Sequence, residues 1–178
     1  MRKFSTKQLV YAAAAAALAV AASMIKVFSL PMGGNVTLFS MLFVVLIGYW
    51  YGPVMGILTG AVYGMLQFVM EPYIFTIPQV ILDYPMAFGA LGVSGFFRRF
   101  KNGLAAGYIA GVAGRCFFAF LSGWIFFGAY AADYGMSAPL YSFVYNASYL
   151  GAEAAVTLLA MHLPPVKKAL LYIKETAS

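Results

Sequence analysis

The sequence predicts an all-α integral membrane protein, and its composition is the first reason. Of its 178 residues, 63% are hydrophobic and 9% are charged, and the mean hydropathy is +0.87. Soluble domains carry about 25% charged residues, and a chain of 19.2 kDa cannot bury this much apolar surface in its own core. The composition therefore excludes a soluble globular fold and intrinsic disorder, and a single cysteine excludes a disulfide scaffold.

The spacing of turn residues is the second reason, because it divides the apolar sequence into six segments. A helix needs about 20 residues to cross the hydrocarbon core of a bilayer. Glycine, proline and charged residues separate the segments at intervals close to this length. The predicted transmembrane helices are 7–27, 36–51, 53–70, 78–97, 104–128 and 138–163. Together they form a single six-helix membrane domain, residues 1–178.

The third reason is the placement of the basic residues, which also predicts the orientation. Clusters of basic residues precede the first span, connect the fourth to the fifth, and follow the sixth: Arg2, Lys3 and Lys7; Arg98, Arg99 and Lys101; Lys167, Lys168 and Lys174. An even number of spans places all three clusters on one side, and the positive-inside rule makes that side cytoplasmic. We therefore expect cytoplasmic N- and C-termini. The net charge of +6 reflects this topology, and nucleic-acid binding is not predicted.

Four ionisable side chains fall within or at the ends of the predicted spans: Lys26, Asp83, Arg115 and Glu153. A charge at membrane depth is costly unless it is paired or hydrated. Arg115 and Glu153 lie at similar depths on consecutive antiparallel helices, which predicts a buried ion pair. A part in conformational change or in a partner contact is the alternative for this pair. Lys26 lies at a helix end, from which its side chain can extend to the membrane surface.

Asp83 has no basic partner at its predicted depth. It lies near the outer start of the fourth span and two residues before Pro85, which removes a backbone donor and opens the helix locally. An unpaired carboxylate beside such an opening predicts a counter-charge for a bound cation. The alternative is a structural role, in which Asp83 caps the third span or a loop.

Aromatic residues are concentrated at the outer ends of the spans: Tyr63, Tyr73, Phe75, Tyr84, Trp124, Phe127, Tyr130, Tyr141 and Tyr145. Any one of them can be an interfacial anchor. However, aromatic faces attract cations and stack on planar rings, and the amide of Asn146 can bond ring heteroatoms. Together with Asp83, they predict a site for a small, flat, cationic heterocycle.

The first span is rich in alanine, with an unbroken run over residues 12–17. Ala13 and Ala17 form a pair of small residues four positions apart, a spacing that lets helices in lipid approach closely. This face predicts helix docking, either to a partner subunit or to another helix of the same chain.

The sequence lacks the motifs of an enzyme or a metal site. It contains no G-x-x-x-x-G-K-[ST], H-E-x-x-H, C-x-x-C or G-x-S-x-G pattern, and His162 is its only histidine. We therefore expect a protein that is not an enzyme, binds no metal and needs no cofactor. An intramembrane enzyme is disfavoured because no nucleophile, base and orienting group can be assembled.

Three stretches resemble a known family: Pro-Met-Gly-Gly-Asn-Val at 31–36; Gln-Val-Ile-Leu-Asp-Tyr at 79–84 with Gly-Val-Ser-Gly-Phe at 92–96; and Ser-Gly-Trp-Ile-Phe-Phe-Gly at 122–128 followed by Tyr-Ser-Phe-Val-Tyr-Asn at 141–146. With six short helices and an alanine-rich first helix, the chain resembles the substrate-binding subunits, or S-components, of energy-coupling-factor (ECF) vitamin transporters, and among them the thiamine-specific family.

The resemblance implies a function and partners. Such a subunit binds thiamine with high affinity from the extracellular side of a prokaryotic plasma membrane. It then associates with a transmembrane coupling subunit and two ATPase subunits, and ATP drives release of the vitamin inside the cell. By this resemblance, Ala13 and Ala17 dock the coupling subunit.

The resemblance also implies which residues bind the ligand: Asp83, Tyr84, Asn146, Tyr141, Phe127, Gly123, Tyr73 and Tyr63, with Trp124 as a further ring. One departure is Ala119, which stands where family members have a histidine. Losing an imidazole removes a ring contact and a hydrogen bond worth about 1 kcal/mol. The ligand is therefore expected to be thiamine or a close relative of thiamine.

Two alternatives remain at this point. The first is an S-component for another vitamin or precursor, such as a hydroxymethylpyrimidine, biotin or riboflavin; an anionic vitamin would be repelled by an unpaired Asp83. The second is a solitary proton-coupled transporter, in which Asp83 or Glu153 carries the proton.

Overall fold

The structure is a computed structural model that describes residues 4–31 and 34–177. Arg2 and Lys3 of the first basic cluster, and the Met32-Gly33 pair of the first family-like stretch, lie outside the described residues. The described chain forms the helices α1 (Thr6–Ser23), α2 (Ser40–Tyr51), α3 (Pro53–Met70), α4 (Ile77–Phe97), α5 (Gly103–Phe126), α6 (Ala138–His162) and α7 (Pro164–Ala177). A short 3₁₀ segment, Gly128–Tyr134, joins α5 to α6.

The first six helices follow the order of the predicted spans, but not all of them are long enough to cross a bilayer. By length and apolar composition, α1, α3, α4 and α5 qualify within the described residues. The bent pair α6 and α7, which meet at 84°, makes a fifth span if it is counted as one. The structure therefore supports four or five spans, where the sequence predicts six.

Helix α2 accounts for part of the difference. Its 12 residues extend about 18 Å at 1.5 Å per residue, which is short of the hydrocarbon thickness of about 30 Å. It is shorter than predicted because Phe39 adopts a left-handed conformation (φ 63°) and the residues before it form a strand. Most of α2 is buried against other helices, so the polar backbone groups at its ends face protein and not lipid.

A β-hairpin replaces the end of the predicted first span and the loop that follows it. Strands β1 (Lys26–Ser29) and β2 (Asn35–Thr37) pair antiparallel, with Phe28 opposite Val36 and Ser29 opposite Asn35. Helix α1 ends at Ser23 rather than at residue 27, because the backbone that follows finds its hydrogen-bond partners in β2. This hairpin closes one side of the cavity described below.

Helices α3 and α4 approach closely through glycines. A side chain at Gly64 would collide with the carbonyl of Tyr84, and one at Gly60 would collide with the carbonyl of Phe88. Small residues permit this distance between helices in lipid. The contact fixes the half of α4 that carries Asp83 against α3.

The predicted ion pair between Arg115 and Glu153 is wrong. The buried Glu153 carboxylate accepts hydrogen bonds from Thr37 N (3.2 Å), Thr37 Oγ1 (2.7 Å), Ser40 Oγ (2.9 Å) and Met41 N (3.4 Å). It therefore caps the first turn of α2, where the helix dipole favours a negative charge. The Arg115 guanidinium instead lies over the Phe88 ring, 4.1 Å from its centroid.

Lys26 lies in strand β1 and not at the end of a helix, as the sequence predicted. Its ammonium pairs with Glu71 at 2.5 Å. Within the described ranges, this is the only ion pair closer than 4.0 Å. The pair joins β1 to the end of α3. Both side chains are partly exposed, so the pair contributes little to stability.

Candidate functional site

A cavity of about 500 Å³ opens where the hairpin meets one end of α3, α4, α5 and α6, and we call it the ligand cavity. Its volume lies in the range of small-molecule sites. Eight of the nine side chains or backbone positions predicted to bind ligand line it: Tyr63, Tyr73, Asp83, Tyr84, Gly123, Phe127, Tyr141 and Asn146. Residues from distant parts of the sequence therefore converge on one space.

Trp124 is the exception, because it does not line this cavity. Its side chain is 46% exposed and lies beside Phe120, with ring centroids 5.8 Å apart. Successive residues on a helix point about 100° apart. Gly123 faces Ser142 of α6, and Phe127, four residues later, shares that face, so Trp124 points away from the site.

The Asp83 carboxylate sits in a widened turn of α4. Residues Leu82–Met86 form a π-helical turn around Pro85, and the amide of Ala87 donates to the carbonyl of Leu82, five residues back. Proline has no N–H and clashes with the regular ladder, which explains the widening; such turns recur at functional sites. The predicted local opening of this helix is confirmed.

Gln79 orients Asp83, a role that the sequence did not predict. Its Nε2 donates to Asp83 Oδ2 (2.6 Å) and to the carbonyl of Tyr73 (3.2 Å), while its Oε1 accepts from the amide of Phe75 (2.9 Å). The side chain is 1% exposed. The sequence spacing could have indicated this contact, because Gln79 and Asp83 are four residues apart and such residues lie on the same helix face.

The Tyr84 hydroxyl holds the loop that follows α3. It donates to the carbonyl of Glu71 (2.9 Å) and accepts from the amide of Tyr73 (3.0 Å). The loop-holding role considered for Asp83 thus belongs to its neighbour. A hydrogen bond with the Tyr130 side chain, together with burial, raises the pKa of the Tyr73 phenol in this loop above its ordinary value.

Aromatic rings surround the rest of the ligand cavity. Phe127 lies against Tyr73 and Phe75, with centroids 5.6 and 5.8 Å apart. Tyr141 stacks against Tyr145 at 6.0 Å. The Tyr145 hydroxyl accepts from the amide of Gly34 (2.8 Å) and donates to the carbonyl of Pro31, which attaches the hairpin to α6.

The Asn146 amide is held in one orientation. Its Nδ2 donates to the carbonyls of Ser142 (2.9 Å) and Ala119 (3.2 Å), and its Oδ1 accepts from the Tyr149 hydroxyl (3.0 Å). A carbonyl oxygen has two lone pairs, so Oδ1 can accept a second hydrogen bond from a ligand.

Two polar residues of α5 also line the cavity. Arg115, the predicted partner of Glu153, instead lines the cavity beside Phe88. Ser122 also lines it, and its buried hydroxyl lies close to the Asp83 carboxylate. Ala119 lies between them on the cavity wall, where its methyl group leaves room for a larger side chain.

The cavity offers no metal site among the described residues. No group of three or more His, Cys, Asp or Glu side chains lies close enough together in residues 4–31 and 34–177 to hold an ion. The lining provides the Asp83 carboxylate, the Lys26–Glu71 ion pair, one guanidinium, several aromatic faces and a fixed amide. That set suits an organic ligand with a planar ring.

Comparisons with known proteins decide the family. The profile of the family described as "Thiamine transporter protein" matches residues 9–173. This chain belongs to the thiamine transporter family. A relative, the thiamine transporter ThiT of Bacillus subtilis (strain 168), is 32% identical over 136 residues, which cover 68% of this chain and 70% of that protein.

A solved structure supports the fold. ThiT from Listeria monocytogenes superposes with a TM-score of 0.66 and 22% sequence identity, covering 96% of this chain and 92% of that one. As a member of the thiamine transporter family with several apolar helices, the protein is a multi-pass protein of the cell membrane. The relatives are named as transporters rather than as enzymes.

Proposed function

We propose that this family member binds thiamine in the ligand cavity from the extracellular side and takes it up as the S-component of an ATP-driven ECF transporter. The observation that carries the proposal is the Asp83 carboxylate facing a ring of aromatic side chains within a cavity of suitable size. The match to the thiamine transporter family supports the choice of ligand.

The chemistry of thiamine complements the cavity. Its thiazolium ring is a planar cation, which a carboxylate and aromatic faces stabilise. Its aminopyrimidine ring carries an amino group that can donate to Asn146 Oδ1, the acceptor that retains a lone pair. Asp83 provides the charge and Phe127 and Tyr141 provide the faces.

Calorimetric titration of the purified protein tests the ligand. Neither tryptophan lines the cavity, so heat is a more direct readout than fluorescence. We expect saturable binding of thiamine at nanomolar concentration, weaker binding of a hydroxymethylpyrimidine, which lacks the cation, and no binding of anionic biotin. Absence of saturable thiamine binding would overturn the proposal.

Transport requires partners in this proposal: a transmembrane coupling subunit and two ATPases. The exposed Ala13 and Ala17 on α1 support it, since these small residues are not used for packing within the chain. Uptake of labelled thiamine should stop when the ATPase subunits are deleted. Uptake that persists without them would favour the solitary proton-coupled transporter.

A further inference from the structure

A second cavity lies at the opposite end of the molecule, away from the ligand cavity. Its volume is about 480 Å³, and it opens between the start of α1, the end of α2 and α7. Lys7, Arg98 and Lys174 line it, one residue from each of the three basic clusters. We call it the basic cavity.

The positions of two of these cations are defined by neighbouring residues. A methyl group added to Gly52, in the turn between α2 and α3, would lie 3.5 Å from Arg98 Nη1, so the guanidinium covers this turn. The Lys174 ammonium lies over the ring of Tyr49, 5.5 Å from its centroid. Basic side chains from α1, from the end of α4 and from α7 therefore line the same cavity.

Negative charge is scarce at this end of the molecule. Among residues 4–31 and 34–177, no acidic side chain lines the basic cavity. Of the five acidic residues of the chain, Glu71, Asp83, Asp133 and Glu153 belong to the other end or to the buried cap of α2. Glu175, next to Lys174, is exposed. The cavity therefore suits an anion.

The surroundings indicate where that anion comes from. Trp50, Tyr49 and Tyr51 line the cavity beside the cations, and such rings are enriched at the membrane surface. Leu9 and Val10 are 52% and 61% exposed on α1, one turn deeper into the bilayer. Helix α7 turns 84° away from α6, as a helix lying along the membrane surface does.

From this arrangement we infer that the basic cavity binds the phosphate headgroup of an anionic phospholipid, with Lys7, Arg98 and Lys174 as its contacts. Its acyl chains extend from the cavity into the bilayer. Basic pockets between helices at this membrane level bind such headgroups. The site is separate from the ligand cavity, so it does not depend on the identity of the transported molecule.

Native mass spectrometry of the purified full chain tests the inference, with phosphatidylglycerol and phosphatidylcholine of identical acyl chains as probes. We expect bound phosphatidylglycerol to survive conditions that remove phosphatidylcholine. Replacing Lys7, Arg98 and Lys174 by serine should weaken phosphatidylglycerol binding about a hundredfold, because each basic residue near an anionic surface contributes roughly a factor of five.

A matched variant distinguishes a site from general charge. Arg99→Ser, Lys101→Ser and Lys167→Ser together remove the same charge from residues that do not line the basic cavity. This variant should keep its phosphatidylglycerol. Equal loss in both triple variants, or equal binding of the two lipids by the unmodified chain, would overturn the inference. So would displacement by millimolar inorganic phosphate, which would indicate a site for the free ion.

A second measurement keeps the three cations in place. In Trp124→Phe protein, the fluorescence comes from Trp50 alone, which lines the basic cavity. Phosphatidylglycerol with brominated acyl chains should quench it at lower concentration than brominated phosphatidylcholine, while thiamine affinity stays unchanged. Identical quenching curves for the two lipids would contradict a headgroup site.

Discussion

Asp83 combines a charge with a fixed position, and both follow from its immediate neighbours. The π-helical turn around Pro85 exposes the carboxylate to the ligand cavity, and Gln79 holds one of its oxygens at 2.6 Å. A buried carboxylate that contacts a cationic ligand contributes more than a neutral group of the same shape, because charge-assisted hydrogen bonds are stronger.

Asp83→Asn should therefore weaken thiamine binding by about 1–3 kcal/mol, the range for a hydrogen bond to a charged group. Calorimetric titration measures this change directly. The matched control is Asp133→Asn, which removes an exposed carboxylate outside the cavity lining and should leave affinity unchanged. Equal affinity of the Asp83→Asn protein and the unmodified chain would exclude Asp83 as a ligand contact.

Ala119 gives a second prediction at the scale of one residue. Its methyl group lines the cavity at the position where the family resemblance implies an imidazole. Ala119→His should raise thiamine affinity about fivefold, since one added hydrogen bond contributes about 1 kcal/mol. Ala119→Leu, which fills the same space without a polar atom, should give no such gain. A loss of affinity in both variants would show that the ligand already occupies this space.

At the scale of secondary structure, Glu153 joins three elements: α6, which carries it, the β2 strand and the first turn of α2. Removing its charge weakens all of these contacts together. Glu153→Gln should lower the free energy of unfolding by about 2 kcal/mol, as measured by thermal unfolding in detergent. Glu175→Gln on the exposed part of α7 should have little effect.

The absence of an ion pair between Glu153 and Arg115 can also be tested. Arg115 lies over Phe88 and makes no salt bridge within 4.0 Å of Glu153. A double-mutant cycle of Arg115→Gln with Glu153→Gln should therefore give a coupling energy below about 0.5 kcal/mol. A coupling of several times this value would mean that the two charges do interact.

Helix α1 carries two different faces. Ala12, Ala15, Ala16, Ala19 and Ala22 are buried against the rest of the chain, whereas Ala13 and Ala17 are exposed. The described part of the structure therefore does not support the alternative that Ala13 and Ala17 pack against another helix of the same chain. Small exposed residues on a lipid-facing helix suit docking of another helix.

Ala13→Trp with Ala17→Trp should abolish transport and leave thiamine binding intact, because bulk on this face blocks close approach of the coupling subunit. Transport assays and co-purification with that subunit measure the two effects. Ala113→Trp with Phe117→Trp, at the same spacing on an exposed face of α5, is the control and should transport normally. Co-purification that survives in the Ala13/Ala17 variant would show that docking uses another surface.

At the scale of the whole molecule, the distribution of charge predicts how the protein sits in the membrane. One residue from each basic cluster lines a single cavity, so the clusters do share one end of the molecule. By the positive-inside rule we expect that end to be cytoplasmic, with the ligand cavity open to the outside of the cell.

Cysteine labelling tests this orientation. In a Cys116→Ala background, which removes the only native cysteine, Ser137→Cys should react with a membrane-impermeant maleimide in intact cells. Lys101→Cys should react only after the cells are opened. The reverse pattern would invert the topology and place the ligand cavity on the cytoplasmic side.

The sequence predicted those parts of the protein that depend on local composition. Span 53–70 has the predicted bounds, and the ends of α4, α5 and α6 lie within two residues of prediction, because proline, glycine and charge punctuate an apolar chain where it leaves the bilayer. The widened turn at Pro85 was predictable for the same reason. The family, predicted from short stretches of sequence, is confirmed by the family match over residues 9–173.

Only the tertiary structure decided which side chains meet. Spacing along the chain gives a residue's approximate depth but not the rotation of its helix, so Arg115 and Glu153 share a depth and still do not pair. For the same reason, the sequence did not show that Gly123 lies inside the ligand cavity and Trp124 outside it. The hairpin depends on backbone pairing between residues 26–29 and 35–37, and the cap on α2 comes from α6, more than a hundred residues away. Such contacts are set by the packing of the whole bundle, because no local pattern records which distant partner will satisfy a buried polar group.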